Sequence, residues 1–308
     1  MNRLLGIVGP TGVGKSHLGI QLAQALNGEI VNADSRQVYR FMDIGTAKPT
    51  PQERATVPHH VIDVVSPSEN FSLAQYQQLA VKAIEGIQQR DKLPIVVGGS
   101  GQYIWSVLEG WGIPQVAPNP EFRQSLEVRA DVGEGGKLHE ELNAVDPEAA
   151  QRIDPRNVRR TIRALEVFNE TETPYSQLQR KEAPPFNIFV IGLTTDREEL
   201  YRRIDLRVDK MIELGLVDEV KRMTSRGFDF NMPALSSIGY RQIGQFLRDE
   251  LTLPGAIQQI KFETHRLARQ QYTWFRLEDD RIHWFDIQRT TDSQIMAPLN
   301  KFLRGSRQ

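Results

Sequence analysis

Residues 9–16 read Gly-Pro-Thr-Gly-Val-Gly-Lys-Ser, the G-x-x-x-x-G-K-[ST] spacing of a phosphate-gripping loop. An apolar strand precedes the run and a helical pattern follows it, which is the context the motif requires. In such a loop Gly9, Pro10, Thr11, Gly12, Val13 and Gly14 curl so that backbone N–H groups meet phosphate oxygens at the positive end of a helix. Lys15 adds a mobile charge, and the Ser16 hydroxyl is the expected ligand of a Mg²⁺ ion. The pattern is that of proteins that bind ATP and other nucleotides. Hydrolases with this loop end a later apolar strand in an acid that helps hold the metal. Here the strand "LPIVV" runs instead into Gly98, Gly99 and Ser100. A hydroxyl can donate to a phosphate or bridging oxygen but cannot replace a carboxylate at a metal. Asp34, followed by Ser35, ends another strand, and in open α/β sheets ligands bind at the carboxyl ends of strands. Asp34 could cap a helix starting at Arg36, act as a base, or do both. Together, Asp34 and Ser100 suggest a site that holds a polyphosphate and takes a proton from an acceptor.

Two stretches are basic. In "DPRNVRRTIRALEVF" (154–168), Arg156, Arg159, Arg160 and Arg163 fall at i, i+3, i+4 and i+7, one face of a helix with Pro155 near its start. In "KFETHRLARQQYTWFR" (261–276), Lys261, His265 and Arg269 recur every four residues. Tyr272, Trp274 and Phe275 are expected in the core rather than on bases. Arg207, in a helix after the strand at 188–194, is a third basic candidate. His59 and His60 have no partner at ligand spacing and read as structural.

Positioning these residues falls to an alternation of strands (4–9, 29–34, 59–65, 95–97) with helices (15–26, 72–90), which argues for a parallel sheet wrapped on both faces. The pattern changes between "GIPQVAPNPEF" and "EAPPFN", where nothing reads as a strand and several stretches read as helix. Strands return at 188–194 and 282–287. The fold expected is α/β, a P-loop NTPase-like parallel sheet, with residues 1–112 and 186–308 forming the core and 113–185 a helical insertion. The last residues, 305–308, are expected to fray.

The chain has 308 residues, 39% apolar and 25% charged, as in a soluble globular protein of one large or two ordinary domains. It has no cysteine, which excludes thiol catalysis and cysteine–zinc sites and fits a cytoplasmic setting. The N-terminal run has no signal-peptide pattern, and no apolar run approaches a membrane span. With 38 Lys and Arg against 39 Asp and Glu, any nucleic-acid affinity must come from local patches.

"GPTGVGKS", "NADSRQVYRFMDIGTAKP", "PHHVIDV", "VGGSGQYI", "RRTIRALEV", "SSIGYRQI" and "TWFR" occur in an order that resembles the tRNA dimethylallyltransferases over nearly the whole chain. The resemblance implies transfer of a prenyl group from dimethylallyl diphosphate to the exocyclic N6 of the adenine 3′ to the anticodon, with diphosphate leaving whole. It implies that residues 9–16 and Mg²⁺ on Ser16 hold the diphosphate, that Ser100 approaches the bridging oxygen and Arg207 the terminal phosphate, and that Asp34 is the general base. It further implies that Asp34, Ser35, Arg36 and Gln37 contact a flipped adenine. Arg123, Arg156, Arg159, Arg160, Thr161, Arg163, Ser237, Gly239, Tyr240, Arg241, Gln242, Arg269, Trp274 and Arg276 would grip the tRNA, and the insertion would close on it. The protein would act as a monomer. Departures from the family pattern are Ser100 where threonine is usual, Gly12-Val13 for Ala-Ser, a short Gly-rich 125–137, and His265 and Gln270 where arginine is common. Two other readings stay open on the residues alone: a small-molecule kinase (or a prenyltransferase of free adenine nucleotides), and a nucleotide-gated RNA-binding protein without catalysis.

Overall fold

The computed structural model describes residues 2–179 and 181–305. The tail expected to fray lies, beyond Gly305, outside the described residues. The chain divides into two compact units, one running up to Leu108 and resuming at Pro185, the other Glu109–Pro184. The second unit therefore starts at Glu109 rather than at 113. Its two ends pair with each other: the Glu182 N–H donates to Gly110 O at 2.9 Å, and Trp111 bridges Lys181.

The first unit comprises β1 (Arg3–Val8), α1 (Lys15–Ala25), β2 (Gly28–Asn32), α2 (Pro51–Thr56), β3 (His59–His60), α3 (Leu73–Gln89), β4 (Leu93–Val97) and α4 (Gly101–Leu108). In the second unit are α5 (Pro120–Arg129), α6 (Gly135–Val145), α7 (Pro147–Arg152), α8 (Val158–Thr171) and α9 (Tyr175–Leu178), with a π-turn at Ala130–Glu134. The first unit then resumes with β5 (Asn187–Thr194), α10 (Arg197–Glu213), α11 (Leu216–Ser225), α12 (Tyr240–Leu247), α13 (Leu253–Trp274), β6 (Ile282–Asp286) and α14 (Asp292–Arg304).

The six strands form one sheet in the order β3-β2-β4-β1-β5-β6, every pairing parallel. All six residues of β1 are buried, as expected of a central parallel strand covered on both faces. Its register puts Ile7 beside Val97, and Val97 beside Asn32. The ends of β1, β4 and β2 are thus level, so the chain just beyond each of them (the loop 9–14, Gly98 to Ser100, and Asp34) meets along one edge. This edge is also where the strand order reverses around β1, the crevice in which open α/β sheets bind ligands.

Two local expectations change. The strand expected at 59–65 ends at His60, because Val61 and Asp63 take left-handed backbone conformations (φ 59° and 56°) that no strand tolerates. Asp63 there pairs with Lys48 and Arg54. No helix starts at Arg36; residues 35–38 form turns, opened by the Arg36 N–H donating to Asp34 Oδ1 at 2.8 Å.

In the second unit Leu126, Leu138, Leu142, Ala149, Ile162 and Leu165 build a separate core. Helix α8 starts at Val158, capped by the Asn157 side chain, which accepts the Arg160 N–H. Arg156 lies in the preceding turn and so leaves the helical stripe predicted for it.

Candidate active site

A cavity of about 600 Å³ opens at the strand ends of the first unit. Thr11, Asp34, Ser100 and Arg207 line it, from the phosphate loop, the end of β2, the end of β4 and helix α10 respectively. Four elements far apart in sequence therefore bring the four residues singled out for chemistry to one space.

The loop is held in place by its neighbours. Lys15 Nζ donates to Pro10 O at 2.8 Å, and Arg203 Nη1 donates to Val13 O at 3.2 Å. Arg207 Nη1 lies 3.5 Å from Thr11 Oγ1. Desolvation, with Arg207 beside it, lowers the Lys15 pKa to about 7, although Asp34 pulls it back up. Burial also lowers the Arg207 pKa, again opposed by Asp34. Two cations crowded into a poorly hydrated cradle are what an anion would relieve.

Asp34 lies just past the end of β2, and in the sheet β4 stands between that strand and β1. It still acts electrostatically on Lys15 and Arg207 because β4 ends in glycines with nothing to interpose. At Gly99 a Cβ would run into the Gln271 carboxamide and come 3.5 Å from Lys15 Nζ. Asp34 Oδ1 takes the Arg36 N–H, and its second oxygen has no partner among the described residues. Capping a turn and keeping a free basic oxygen thus coexist. Ser100 Oγ accepts the Ser35 N–H at 3.0 Å and lies 3.3 Å from Ser35 Oγ, so the hydroxyl is fixed against the residue that follows Asp34.

Gln271, which the sequence reading passed over, ties the edge together. Its Oε1 accepts the Thr11 N–H at 2.7 Å, and its Nε2 donates to Gly99 O at 2.9 Å. The signal was its place in "QQYTWFR", one helical position past a residue read only for missing charge. Also unforeseen are Met211, Ile260 and Leu267, which make one wall of the cavity apolar.

Ser35, Arg36, Ser237, Gly239, Arg241 and Trp274, all read from the sequence as candidate acceptor contacts, line the same cavity. Arg36 is steadied by Pro233 O, and Arg241 by Glu263. Other expected contacts are corrected by burial. Tyr240 and Gln242 are fully buried: Tyr240 donates to Glu219, and Gln242 Oε1 accepts the Gly239 N–H. Gln37 is buried and donates to Thr46 O and Ala47 O. In the second unit Thr161 is buried beside Asn157 O. These four side chains hold the fold instead of facing a partner. Arg123 and Arg163 both pair with Glu166, which is completely buried, so one carboxylate that the stripe reading overlooked holds one cation of the stripe and Arg123 of α5. Arg156 pairs with Asp154 at the surface. Arg159 and Arg160 remain exposed, with no acidic partner among the described residues.

On α13 the basic face is partly neutralised by α10. Lys261 pairs with Asp209, His265 Nε2 lies 2.8 Å from Asp205, and Arg269 donates to Tyr201 Oη. Arg276 is exposed, away from the cavity. Of the aromatics expected in the core, Phe275 is buried, Tyr272 is half-buried against Thr194, and Trp274 is exposed at the cavity. His60 and His59 bond to Glu29 and Val57 O, and no cluster of metal-ligating side chains occurs among the described residues.

Residues 37–278 match the sequence profile of a family described as IPP transferase. A tRNA dimethylallyltransferase of Dehalococcoides mccartyi is 50% identical over 97% of this chain and 92% of its own length, and one of Roseiflexus castenholzii 53% over 89% of each. Among solved structures, the tRNA isopentenylpyrophosphate transferase of Bacillus halodurans is 40% identical with a TM-score of 0.72, covering 99% of this chain and 96% of that one. A eukaryotic dimethylallyltransferase captured acting on tRNA is 29% identical with a TM-score of 0.86, over 99% and 80%. A profile match across about four fifths of the chain, together with a relative 50% identical over 97% of it, places this protein in the IPP transferase family, that of the tRNA dimethylallyltransferases.

Proposed function

We propose that the protein transfers a dimethylallyl group from dimethylallyl diphosphate to N6 of the adenine 3′ to the anticodon of tRNA, releasing diphosphate. The observation that carries this is that Asp34, which keeps one carboxylate oxygen unpartnered among the described residues, lines the cavity that Thr11, Ser100 and Arg207 also line. The loop then has no water to aim at a γ-phosphate. It stabilises the charge that develops on a whole departing diphosphate. Lys15 and Arg207 offset that negative charge, and Ser100 donates to the oxygen whose bond to the prenyl C1 breaks. Adenine N6 is a weak nucleophile because its lone pair is delocalised into the ring. As the N6–C1 bond forms, Asp34 takes the proton that N6 sheds.

Ser16 is exposed, and its hydroxyl has no protein partner among the described residues. One hydroxyl with the substrate's phosphate oxygens suits Mg²⁺, which prefers few protein ligands and keeps its waters. A bound Mg²⁺ would neutralise diphosphate charge.

A stacked base cannot reach a cavity at the strand ends, so the adenine is flipped out of the anticodon loop. Arg159 and Arg160 of the second unit, with Arg241 and Arg276 of the first, contribute contacts that position the RNA without reading its sequence. No helix among the described residues is long and apolar enough to cross a membrane. A tRNA substrate would put the enzyme in the cytoplasm, where we propose that it works as a monomer.

Incubation with tRNA and dimethylallyl diphosphate, followed by nucleoside mass analysis, tests the proposal. Gain of one C5 unit on the adenosine 3′ to the anticodon supports it. Release of ADP from ATP, efficient turnover of free AMP, or an unmodified tRNA that still binds would each refute it.

A further inference from the structure

Glu219 lies on α11, outside every motif, and is 4% exposed. Its Oε2 accepts the N–H groups of Asp43 (3.1 Å) and Ile44 (2.8 Å), and its Oε1 that of Gly45 (3.1 Å). The Tyr240 hydroxyl donates to Oε1 at 2.5 Å. No lysine, arginine or histidine pairs with it among the described residues. Three successive backbone N–H groups converging on one carboxylate form an anion-binding nest that the protein fills with its own side chain. Burial and the adjacent carboxylate push the Tyr240 phenol well up, so it stays protonated and remains a donor.

Both partners of Glu219 continue into the cavity wall. Gly45 and Thr46 line it on one side, and Ser237 and Gly239, just ahead of α12, on another. Gly45 lies flat on the Tyr240 ring, where a Cβ would come within 2.5 Å of a ring carbon. Gln37 holds the far side of the same loop through Thr46 O and Ala47 O. No hydrogen bond among the described residues joins the phosphate loop to this cluster.

We propose that Glu219 is a positioning residue for the acceptor: by binding the Asp43, Ile44 and Gly45 amides and the Tyr240 hydroxyl at once, it fixes the gap between the 43–46 loop and the start of α12 in which the flipped adenine is seated. The link to the adenine rests on the function proposed above; the fixing of the loop does not.

Glu219→Gln is isosteric, but with its oxygen on the Asp43 and Ile44 amides its NH₂ must face the Gly45 N–H. The expected result is about tenfold faster hydrogen exchange at the Asp43, Ile44 and Gly45 amides, with exchange in the phosphate loop unchanged. In transfer assays KM for tRNA should rise about tenfold, while KM for dimethylallyl diphosphate and the Kd of inorganic pyrophosphate stay within about twofold. Tyr240→Phe removes one donor and keeps the three amides, so it should move the same quantities in the same direction, by about threefold, and it decides the matter if the glutamine variant does not fold. Unchanged exchange at 43–45 in the variants, or equal rises in both KM values, would overturn the proposal. A wild-type protein that transfers no prenyl group would sink the proposed function, and the exchange measurement would still decide whether Glu219 fixes the loop.

Discussion

Raising the pH from 7.5 to 8.5 should weaken binding of dimethylallyl diphosphate to the wild-type protein about eightfold, for a reason confined to Lys15. The Lys15 ammonium sits in the loop against Pro10 O, desolvated and near Arg207, with a pKa of about 7. A diphosphate beside it favours the charged form and restores the pKa toward the ordinary lysine range. The free protein must then take up a proton on binding whenever the pH exceeds about 7. At pH 8 the free lysine carries roughly 0.1 proton, so about 0.9 should be taken up per diphosphate bound. The eightfold figure is the ratio of the neutral-form penalties at the two pH values, about 1.2 kcal/mol. Above pH 7.5 the diphosphate ester is itself fully ionised, so the ligand adds little. Calorimetric titration at pH 8 in two buffers of different ionisation enthalpy reads the proton uptake directly. Lys15→Arg, whose guanidinium does not titrate in this range, should bind with no proton uptake and a flat pH profile. Absence of uptake by the wild type, or the same slope in the arginine variant, would refute the picture of a cradle that empties its lysine of charge until an anion arrives.

Other outcomes follow from the same contacts. Asp34→Asn keeps an oxygen for the Arg36 N–H, so it should bind pyrophosphate within about threefold of wild type yet lose 10²–10⁴-fold in transfer rate; near-normal single-turnover rates would remove Asp34 as the base. Burial pushes the Glu29 carboxyl up, but hydrogen bonds from Lys92, His60 and Arg90 outweigh it and hold its pKa at about 2. The unfolded chain therefore binds the proton first, and the stability this group contributes, about 3 kcal/mol above pH 4.5, drains away as the pH falls toward 2. Glu29→Gln should flatten that part of the pH–stability curve measured by urea unfolding. In the second unit, Arg159→Ala with Arg160→Ala should lower the slope of log K against log salt for tRNA by about 1–2 without changing Tm. Arg123→Ala, which strips one partner from the buried Glu166 but leaves Arg163 and the Asn119 N–H on it, should destabilise that unit by about 1–2 kcal/mol, read by urea unfolding.

What could be read from residue order, and what could not, divides along a physical line. Residues that act through the backbone were legible, because spacing fixes backbone geometry: the loop 9–16 needs only its glycines and the strand and helix beside it. Asp34 and Ser100 were legible for a related reason, since each follows directly on a parallel strand and such strand ends converge. That β4 separates Asp34 from the loop was not, because sheet order depends on long-range pairing. The arginine stripe failed differently. A helical repeat says which side chains share a face, but not which face is buried, and Glu166, three residues on from Arg163, turned out to lie under it with two arginines upon it. Tyr240 and Gln242 fell to the same ambiguity, their motif being equally compatible with a ligand surface and with a helix start packed on Glu219. Glu219 gave no signal and Gln271 none beyond its place in "QQYTWFR", because a neutral carboxamide and one more acid on a charged helix look like surface. Their roles come from partners 260 and 174–176 positions away, and both bind backbone, whose identity no side-chain pattern records. In this site the groups proposed to meet substrate are local features of the chain, whereas those that hold them in register are tertiary, and the second class is the one that only coordinates reveal.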